Sequence, residues 1–582
     1  MCTCSVSVVG KVKPHVSSEE LENTRRIVKS FYDGIGKELH EKLLKKASKE
    51  RNWFEYWWMD FYLKARGSPN YSASYYGMVI PFIDECWQSK EGSQVERCAV
   101  VLWNVLQFWK MLREETLPLD IDRNGTTLSM YQYRSLFNSS RVPGVQKDTF
   151  VQWFKTAKEG NCPSHLIVMR KGRFYKFNAT DDDGKILSAP ALKRQIEYVK
   201  TESDNQPTIL SVGMLTALDR IPWAQARSHL QSLDPRNKKF LDEIESSLLI
   251  LRLEDKASET LQSIARESLC GIGHGRWFDK GYTLISFKNG TFGLNIDHVQ
   301  VDAICPVNHW IHVNSKIIAQ DGIWKGSTDV RKLSNPQELK FIVDDHITNA
   351  IRKAVEQSRK ESKNIETSIN KMNFDRELLR CKKVHPDAFL QLAIQYTYYK
   401  MYRRPAPTNE AATTRQFYHG RTETVRACTV EAIQWCQYMT GENIEPSKTL
   451  NLFLTAINKH VQLMGECKRN EGCHRHLYGL EMIAAENGIP LPELYKDPSY
   501  MKSGGNESYI LVTSSSGYSP VLAFIPPMCE NGYGVFYSFP KNALILFVSS
   551  WKKDKATDCV VYRKNLEKTI NEMLAMLTNS NL

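Results

Sequence analysis

The sequence predicts an α/β fold of two domains of similar size, each a mixed β-sheet flanked by helices. The chain has 582 residues, more than one hydrophobic core usually serves. Strand-like and helix-like segments alternate in both halves, and the polar region 355–383 separates the two halves. We therefore expect an N-terminal helical segment at 1–65, a first domain at 66–355 and a second domain at 356–582.

The helices follow from apolar residues at helical spacing. Residues 18–65 are predicted to be helical, with Ser17 or Ser18 as the cap and Glu19 and Glu20 in the first turn. The segment 96–116 is apolar on more than half of its face, which predicts a buried helix. Within 336–364 a strand is predicted to pass into a long charged helix, and further helices are predicted at 386–403, 424–439 and 559–579.

Two short turns predict β-hairpins. Lys171-Gly172 and Asn289-Gly290 each separate two apolar, β-branched or aromatic runs, the pattern of a tight hairpin turn. Strands are also predicted in the second half at 508–516, 520–527, 533–539 and 543–551.

Composition excludes several classes of protein. Hydrophobic residues make up 42% and charged residues 24% of the chain, as in an ordinary globular protein. The net charge of +12 is dispersed and no nucleic-acid module is present, so a phosphorylated small molecule fits at least as well as a nucleic acid. No apolar run is long enough to span a bilayer, and the N-terminus lacks the pattern of a secretory signal.

The cysteines do not predict a disulfide framework or a metal site. The 14 cysteines are irregularly spaced, which favours reduced thiols in an intracellular compartment. The one local cluster, Cys467, Cys473, His474 and His476, lacks the paired spacing of a structural zinc site. We expect no bound metal.

One histidine stands out in the segment Gly293–Ala303, "GLNIDHVQVDA". His298 follows a predicted strand, directly after Asp297 and four residues before Asp302. These residues alone leave open whether His298 is a catalytic base or a structural histidine. There is no GxSxG, no Walker A and no GxGxxG motif, so the segment offers His298 no protein nucleophile.

A cationic segment precedes the second-half helix. In "DRELLRCKKVHPDAF", Arg376, Arg380, Lys382 and Lys383 lie within eight residues, just before Asp387. Such a cluster suits the phosphates of a ligand, because several cations hold a multiply charged anion. A solvated charged linker is the alternative interpretation.

The order of these motifs resembles the carnitine/choline acyltransferase family. The histidine with its following acid comes first, then the basic segment, "GRTETVRACT", "RHLYGL", the strand ending in "TSS" and finally "NGYG". "YRSLFNSSRVPGVQKDTF" and "WKGS" also resemble family signatures, and the similarity extends over residues 25–580. "HGRTETVRACTVEAIQWCQ" and "MKSGGNESYILVTSS" are most similar to the medium-chain, peroxisomal members that transfer octanoyl groups.

The resemblance implies an acyl transfer between coenzyme A and carnitine in a tunnel between the two domains. His298 would be the general base, Asp302 would orient or stabilise its imidazolium, and Ser514 would stabilise the oxyanion. Direct attack of the acceptor on the thioester needs no acyl-enzyme, which accounts for the missing nucleophile. CoA would be a co-substrate, and no permanently bound cofactor is implied.

The resemblance also assigns the binding residues. Arg376, Arg380, Lys382, Lys383 and Asp387 would meet CoA, while Asn409, Thr422 and Arg475 would meet the carnitine carboxylate. Arg475 disfavours choline as acceptor, since choline has no carboxylate to neutralise a buried guanidinium. Two positions depart from the family: Asn409 replaces a tyrosine, and Ala411 replaces a serine or threonine. Either weaker carnitine binding or a changed acceptor is compatible with these departures.

Ala523 and the C-terminal tail bear on the length of the acyl chain and on the cellular location. Ala523 stands where acetyl-preferring relatives have a bulky side chain, which favours medium-chain acyl groups. A short-chain carnitine acyltransferase and an acyl-CoA-binding relative with little turnover are the alternatives. The tail Ser580-Asn581-Leu582 is one substitution from the Ser-Lys-Leu peroxisomal signal, so a peroxisomal import receptor is an expected partner. We expect a monomer, as in the family.

Overall fold

The computed structural model describes residues 2–69, 75–80, 93–271, 275–330, 333–441 and 444–580, without the side chains of residues 2–6. It contains an eight-stranded sheet and a six-stranded sheet, both mixed and both flanked by helices, with a small two-stranded sheet beside the first. The predicted fold class is therefore confirmed.

The strands have the following bounds. They are β1 (Tyr75–Val79), β2 (Ser139–Val142), β3 (Thr149–Gln152), β4 (His165–Arg170), β5 (Arg173–Asn178), β6 (Ile250–Leu253), β7 (Tyr282–Ser286) and β8 (Phe292–Asp297). The others are β9 (Gln337–Glu338), β10 (Ile365–Asn373), β11 (Thr408–Thr413), β12 (Thr422–Val425), β13 (Leu511–Ser515), β14 (Leu522–Phe524), β15 (Tyr533–Ser538) and β16 (Ala543–Trp551).

The α-helices have the following bounds. They are α1 (Cys2–Val12), α2 (Ser18–Asp33), α3 (Ile35–Ala47), α4 (Glu55–Lys64), α5 (Gln94–Arg113), α6 (Ala189–Asp204), α7 (Arg220–Leu233), α8 (Pro235–Ser246) and α9 (Leu261–Cys270). The others are α10 (Ile304–Ala319), α11 (Asp345–Asn364), α12 (Arg376–Cys381), α13 (Pro386–Tyr402), α14 (Val430–Met439), α15 (Pro446–Lys468), α16 (His474–Glu486), α17 (Pro498–Lys502) and α18 (Cys559–Thr578). Short 3₁₀ turns lie at Lys13–His15, Tyr131–Ser135, Val212–Ala217 and Glu493–Lys496.

The first sheet contains one strand from the second half of the chain. The strand order is β14-β1-β8-β7-β6-β4-β5-β9 in the first sheet and β10-β16-β15-β13-β11-β12 in the second. Strand β14 comes from the second half of the chain but pairs antiparallel with β1, with Ala523 opposite Met78. Apolar side chains of both sheets, among them Val79 and Val512, form one buried cluster between them. The division at residue 355 stays a prediction, and β14 crosses it.

Both predicted hairpins are confirmed. Strands β4 and β5 pair up to Arg170 and Arg173, and the turn residues Lys171 and Gly172 have φ of 48° and 83°. Two positive φ values are the geometry of a type I′ turn, in which glycine costs little. Strands β7 and β8 also pair antiparallel, but up to Ser286 and Phe292, so the turn is longer than the predicted two residues. Gly290 donates its N–H to the Phe287 carbonyl oxygen at 2.9 Å and has φ of 74°.

The helix predicted at 424–439 is wrong in its first part. Residues Thr422–Val425 form β12, and α14 begins only at Val430. The β-branched residues of β12 pair antiparallel with β11, so cross-strand pairing determines their conformation rather than helical spacing.

The N-terminal helices pack on the second half of the chain. The predicted helical region 18–65 contains α2, α3 and α4, and Ser17 caps α2 in a capping box with Glu20. Apolar residues of these helices and of α16 form one cluster. Across the described residues, no helix combines the length and apolarity that a membrane crossing requires.

Candidate active site

The end of β8 fixes the position of His298. Asp297, the last residue of the strand, is buried and accepts two hydrogen bonds of 3.0 Å from the Arg141 guanidinium. The Asp297 carboxylate also accepts the backbone N–H of Val299 at 2.7 Å. Asp297 therefore anchors the turn that carries His298, and its charge is already neutralised by Arg141.

The imidazole of His298 has one nitrogen tied and one open. Nδ1 lies 2.9 Å from the carbonyl oxygen of Val301, which can only accept, so Nδ1 carries the proton. Nε2 therefore holds the lone pair, and it has no hydrogen-bond partner among the residues that the structure describes. The rings of Tyr62 and Tyr76 lie 5.3 Å and 5.2 Å from the imidazole. This is the tautomer that a general base at Nε2 requires.

Burial lowers the pKa of His298 below its ordinary value, and the Asp302 carboxylate opposes this only in part. The nearby Arg421 guanidinium lowers the pKa further. The imidazole is consequently neutral at neutral pH, ready to accept a proton.

Asp302 lies beside the imidazole without bonding to it directly. One of its carboxylate oxygens is 3.8 Å from Nδ1 of His298. Arg421 donates two hydrogen bonds to this carboxylate, at 2.9 Å and 3.1 Å, and Gln132 donates a third at 3.0 Å. Burial alone would raise the pKa of Asp302, but Arg421 and His298 bring it below its ordinary value. Asp302 thus stays ionised beside the imidazole.

Arg421 joins the two halves of the chain at the site. It lies between β11 and β12, and it donates to the backbone carbonyls of Val299 at 2.6 Å and His298 at 2.9 Å. Neither Arg421 nor Gln132 was predicted to be functional. A signal for Arg421 was present, since it immediately precedes Thr422 in "GRTET".

The structure brings Thr422 and Arg475 together. Arg475 Nε donates to the Thr422 carbonyl oxygen at 3.0 Å, and the guanidinium stacks on Trp58 with its carbon 3.8 Å from the ring centroid. Nη1 of Arg475 is buried and makes no hydrogen bond within the described part of the chain, and Glu507 lies 3.8 Å away. A buried N–H without a partner is costly, so this atom suits an incoming anionic group.

Asn409, Ala411 and Ser514 lie on the same sheet face as Thr422. Register places Asn409 beside Val512 and Thr413 beside Thr422, and residues side by side in a sheet share a face. Val512 belongs to the apolar cluster between the two sheets, so this face points toward the first half. The Ser514 hydroxyl and the Asn409 amide make no hydrogen bond to other described residues.

The basic residues predicted to hold CoA lie at the surface around α12. Arg376 stacks on Tyr518, with the guanidinium carbon 4.9 Å from the ring centroid. Arg380 is exposed and Lys383 lies in the turn after α12, with φ of 53°. Lys382 donates to the Ser580 carbonyl oxygen at 2.7 Å. Residues Asn581 and Leu582 of the predicted targeting tail lie outside the described residues.

Asp387 lies on the helix-covered face of the second sheet, in a different cluster. Tyr537 donates to its carboxylate at 2.8 Å, and Glu410 and His460 form a pair 2.7 Å apart beside it. Burial raises the pKa of Glu410 to about 7, although His460 opposes this. Ligand atoms of these two residues and Asp387 lie within 4.8 Å of one another, close enough to share a cation. The carboxylate of Asp387 therefore contacts this cluster, four residues after Lys383 in the chain.

The remaining predicted positions are Ala523 and the cysteine–histidine cluster. Ala523 is buried in the core of the first sheet with Met78. The four residues of the cluster make separate contacts: Cys467 with the Thr424 carbonyl, Cys473 with Lys11, His474 with Glu507 and His476 with His40.

Comparison with known proteins identifies the family. The model of the choline/carnitine O-acyltransferase family matches residues 6–568. The chain belongs to this family. It is 40% identical to peroxisomal carnitine O-octanoyltransferase of Bos taurus, over 94% of this chain and 90% of that protein. The Rattus norvegicus protein of the same name is 38% identical, over 98% of this chain and 94% of its own length.

More distant relatives are also found. Carnitine O-acetyltransferase of Mus musculus is 27% identical, over 98% of this chain and 91% of that protein. The family assignment makes the chain an acyltransferase of carnitine- and CoA-related lipid metabolism.

Proposed function

We propose that this acyltransferase moves medium-chain acyl groups, of about eight carbons, reversibly between coenzyme A and L-carnitine. The main support for the proposal is the tautomer of His298. Nδ1 donates to the Val301 carbonyl oxygen, and Nε2 of the neutral imidazole is available as a base. The octanoyltransferase relatives support the medium-chain substrate.

The reaction needs one base and one oxyanion donor. Nε2 of His298 takes the proton of the carnitine hydroxyl while the carnitine oxygen attacks the thioester carbonyl. The C–S bond then breaks, and the proton passes from the imidazolium to the CoA thiolate. General-base assistance of this kind supplies about 10²–10⁴-fold. Asp302 stabilises the imidazolium, and the Ser514 hydroxyl donates to the oxyanion.

Carnitine is held through its carboxylate. The buried Nη1 of Arg475 and the hydroxyl of Thr422 are the donors, and Asn409 adds its amide. The stack on Trp58 and the hydrogen bond to the Thr422 carbonyl fix the guanidinium, so little side-chain entropy is lost on binding.

Coenzyme A binds through two sets of residues. Arg376, Arg380, Lys382 and Lys383 meet its phosphates at the surface, and Asp387 meets the arm that leads to the thiol. The small Ala523 leaves room for several methylenes of the acyl chain, each worth about 0.8 kcal/mol when buried. Peroxisomal location is part of the same proposal, supported by the names of the relatives.

A changed or weakened acceptor site is the second candidate. The Asn409 amide is shorter than the tyrosine of relatives, and its neighbours on the sheet face, Ala411 and Val512, offer no side-chain hydrogen bond. Loss of one hydrogen bond to a charged group costs about 1.5–3 kcal/mol. This raises KM for carnitine or shifts the preference to another acceptor.

A panel of donors and acceptors tests the proposal. Thiol release is measured from acetyl-, octanoyl- and palmitoyl-CoA, each with L-carnitine, with choline and without acceptor. We expect the largest kcat/KM for octanoyl-CoA with L-carnitine and no release with choline. A larger value with acetyl-CoA would favour the short-chain alternative. Binding of octanoyl-CoA without release in any arm would contradict acyl transfer to either acceptor.

A further inference from the structure

Gln132 is a buried residue whose side-chain amide lies beside the Asp302 carboxylate. It lies in the 3₁₀ turn Tyr131–Ser135 and is 2% exposed. Its Nε2 donates to the Asp302 carboxylate and to the Gly420 carbonyl oxygen, both at 3.0 Å. Its Oε1 accepts the backbone N–H of Asp302 at 2.7 Å.

These contacts determine the orientation of the amide. A carboxylate and a carbonyl can only accept, and a backbone N–H can only donate, so a flipped amide would lose all three bonds. Both N–H groups and the oxygen are used. Gln132 therefore holds Asp302 at its backbone and at its carboxylate, which fixes the distance of that carboxylate from His298.

The third bond reaches the loop that supplies Arg421. Gly420 precedes Arg421, and a Cβ at this position would lie 1.9 Å from the Thr414 carbonyl oxygen, so the loop tolerates no side chain there. A neighbouring contact joins the same two segments, because Arg415 donates to the Ser129 carbonyl oxygen at 2.7 Å and 3.0 Å. Gln132 thus links Asp302 to the Arg421 loop, and it donates to the same carboxylate oxygen, Oδ2, as Nε of Arg421.

We propose that Gln132 is a positioning residue for acyl transfer: it holds Asp302 and the Arg421 loop in register, so that Asp302 can stabilise the imidazolium of His298. The inference rests on the proposed function, in which His298 is the base. It adds a residue that touches neither substrate.

The test is a double-mutant cycle with Gln132→Met and Asp302→Ala. In the wild-type background we expect Gln132→Met to lower kcat about tenfold, since a hydrogen bond to a charge is lost. KM for octanoyl-CoA should change less than about twofold, because CoA is bound elsewhere. In the Asp302→Ala background the same substitution should lower kcat less than about threefold, because the effects of two residues that act through one partner are not additive.

The pH profile provides a second readout that a purely structural role would not move. Without the Gln132 donor, the negative charge of Asp302 is less compensated, so the pKa of His298 rises. Neutral His298 is the active form, and the acid limb of kcat/KM should shift to higher pH in Gln132→Met.

Controls separate this effect from folding. Gln195 is also buried, and its amide donates to the Ser334 carbonyl oxygen at 3.1 Å, far from the site in sequence. Gln195→Met should leave kcat and the acid limb unchanged. Gln132→Asn keeps an amide but lacks one methylene, so it should reproduce the loss of kcat without removing polarity from the core.

Three outcomes would overturn the inference. A folded Gln132→Met variant could have kcat within twofold of wild type, or kcat could fall equally in the wild-type and Asp302→Ala backgrounds. Low melting temperatures of both Gln132 variants would show that Gln132 acts only in folding. A wild-type protein without carnitine-dependent turnover would instead contradict the proposed function. The two failures are therefore distinguishable.

Discussion

The chemistry proposed for His298 depends on one backbone carbonyl and one carboxylate. The Val301 carbonyl selects the tautomer, and Asp302 supplies negative charge at 3.8 Å without a direct bond. Orientation and charge stabilisation of the imidazole are thus divided between two groups. The sequence could indicate Asp302 by its spacing, but a backbone carbonyl has no sequence signal.

Asp302→Asn tests the charge. Asp302 raises the pKa of His298, so removing its charge lowers that pKa. Since the neutral imidazole is active, the acid limb of kcat/KM should move to lower pH, and kcat should fall about tenfold because the imidazolium loses its partner. Rate profiles between pH 5 and 8 measure both effects. An acid limb that moves to higher pH would show that Asp302 acts in another way.

Arg475→Gln tests the carboxylate site. The substitution removes a hydrogen bond to a charged group, which costs about 1.5–3 kcal/mol of binding free energy. KM for L-carnitine should therefore rise about 10–100-fold. KM for octanoyl-CoA should stay within about twofold. Initial rates with each substrate varied separately measure the two constants. An equal rise in both would indicate a general disturbance of α16 instead.

At the level of elements, the end of β8 is held by buried charge. Asp297 and Arg141 are both almost fully buried, and Asp148 and Arg220 extend the network below them. The hairpin of β7 and β8 was predictable, because Asn289-Gly290 is a local turn signal. The start of α14 was not, since Thr422 and Thr424 become a strand only by pairing with β11.

Arg141→Met should destabilise the fold by about 3–5 kcal/mol, because Asp297 would remain as a buried charge without its partner. Urea unfolding followed by tryptophan fluorescence measures this loss. Arg236→Met is the matched control: Arg236 is 67% exposed in its pair with Asp234, so its loss should cost at most about 1 kcal/mol. Equal effects of the two variants would contradict the role of the buried pair.

Across the whole molecule, the candidate site is built from residues of both halves of the chain. Arg421 of the second half bonds to Asp302 and His298 of the first, and β14 completes the first sheet. The role of His298 was inferred from the resemblance to the family and stays a proposal. Periodicity predicted several of the strands and helices of each half. It could not predict that β14 joins the first sheet or that Gln132 is buried, since both depend on contacts between residues far apart in sequence.

Strand β14 contains Ala523, the residue expected to limit the length of the acyl chain. Ala523→Met adds a long side chain to the core beside Met78. We expect the ratio of kcat/KM for octanoyl-CoA to that for acetyl-CoA to fall at least about tenfold, since several methylenes at about 0.8 kcal/mol each lose their space. Acetyl-CoA serves as the internal control. An unchanged ratio would place the acyl chain elsewhere.

Thiol release from octanoyl-CoA with and without L-carnitine, in wild type and in His298→Ala, tests the role of His298 as the base most directly. His346→Ala, at an exposed histidine, is the matched control. We expect carnitine-dependent release in wild type and in the control, and a loss of about 10²–10⁴-fold in His298→Ala. Undiminished release in a folded His298→Ala variant would contradict His298 as the base.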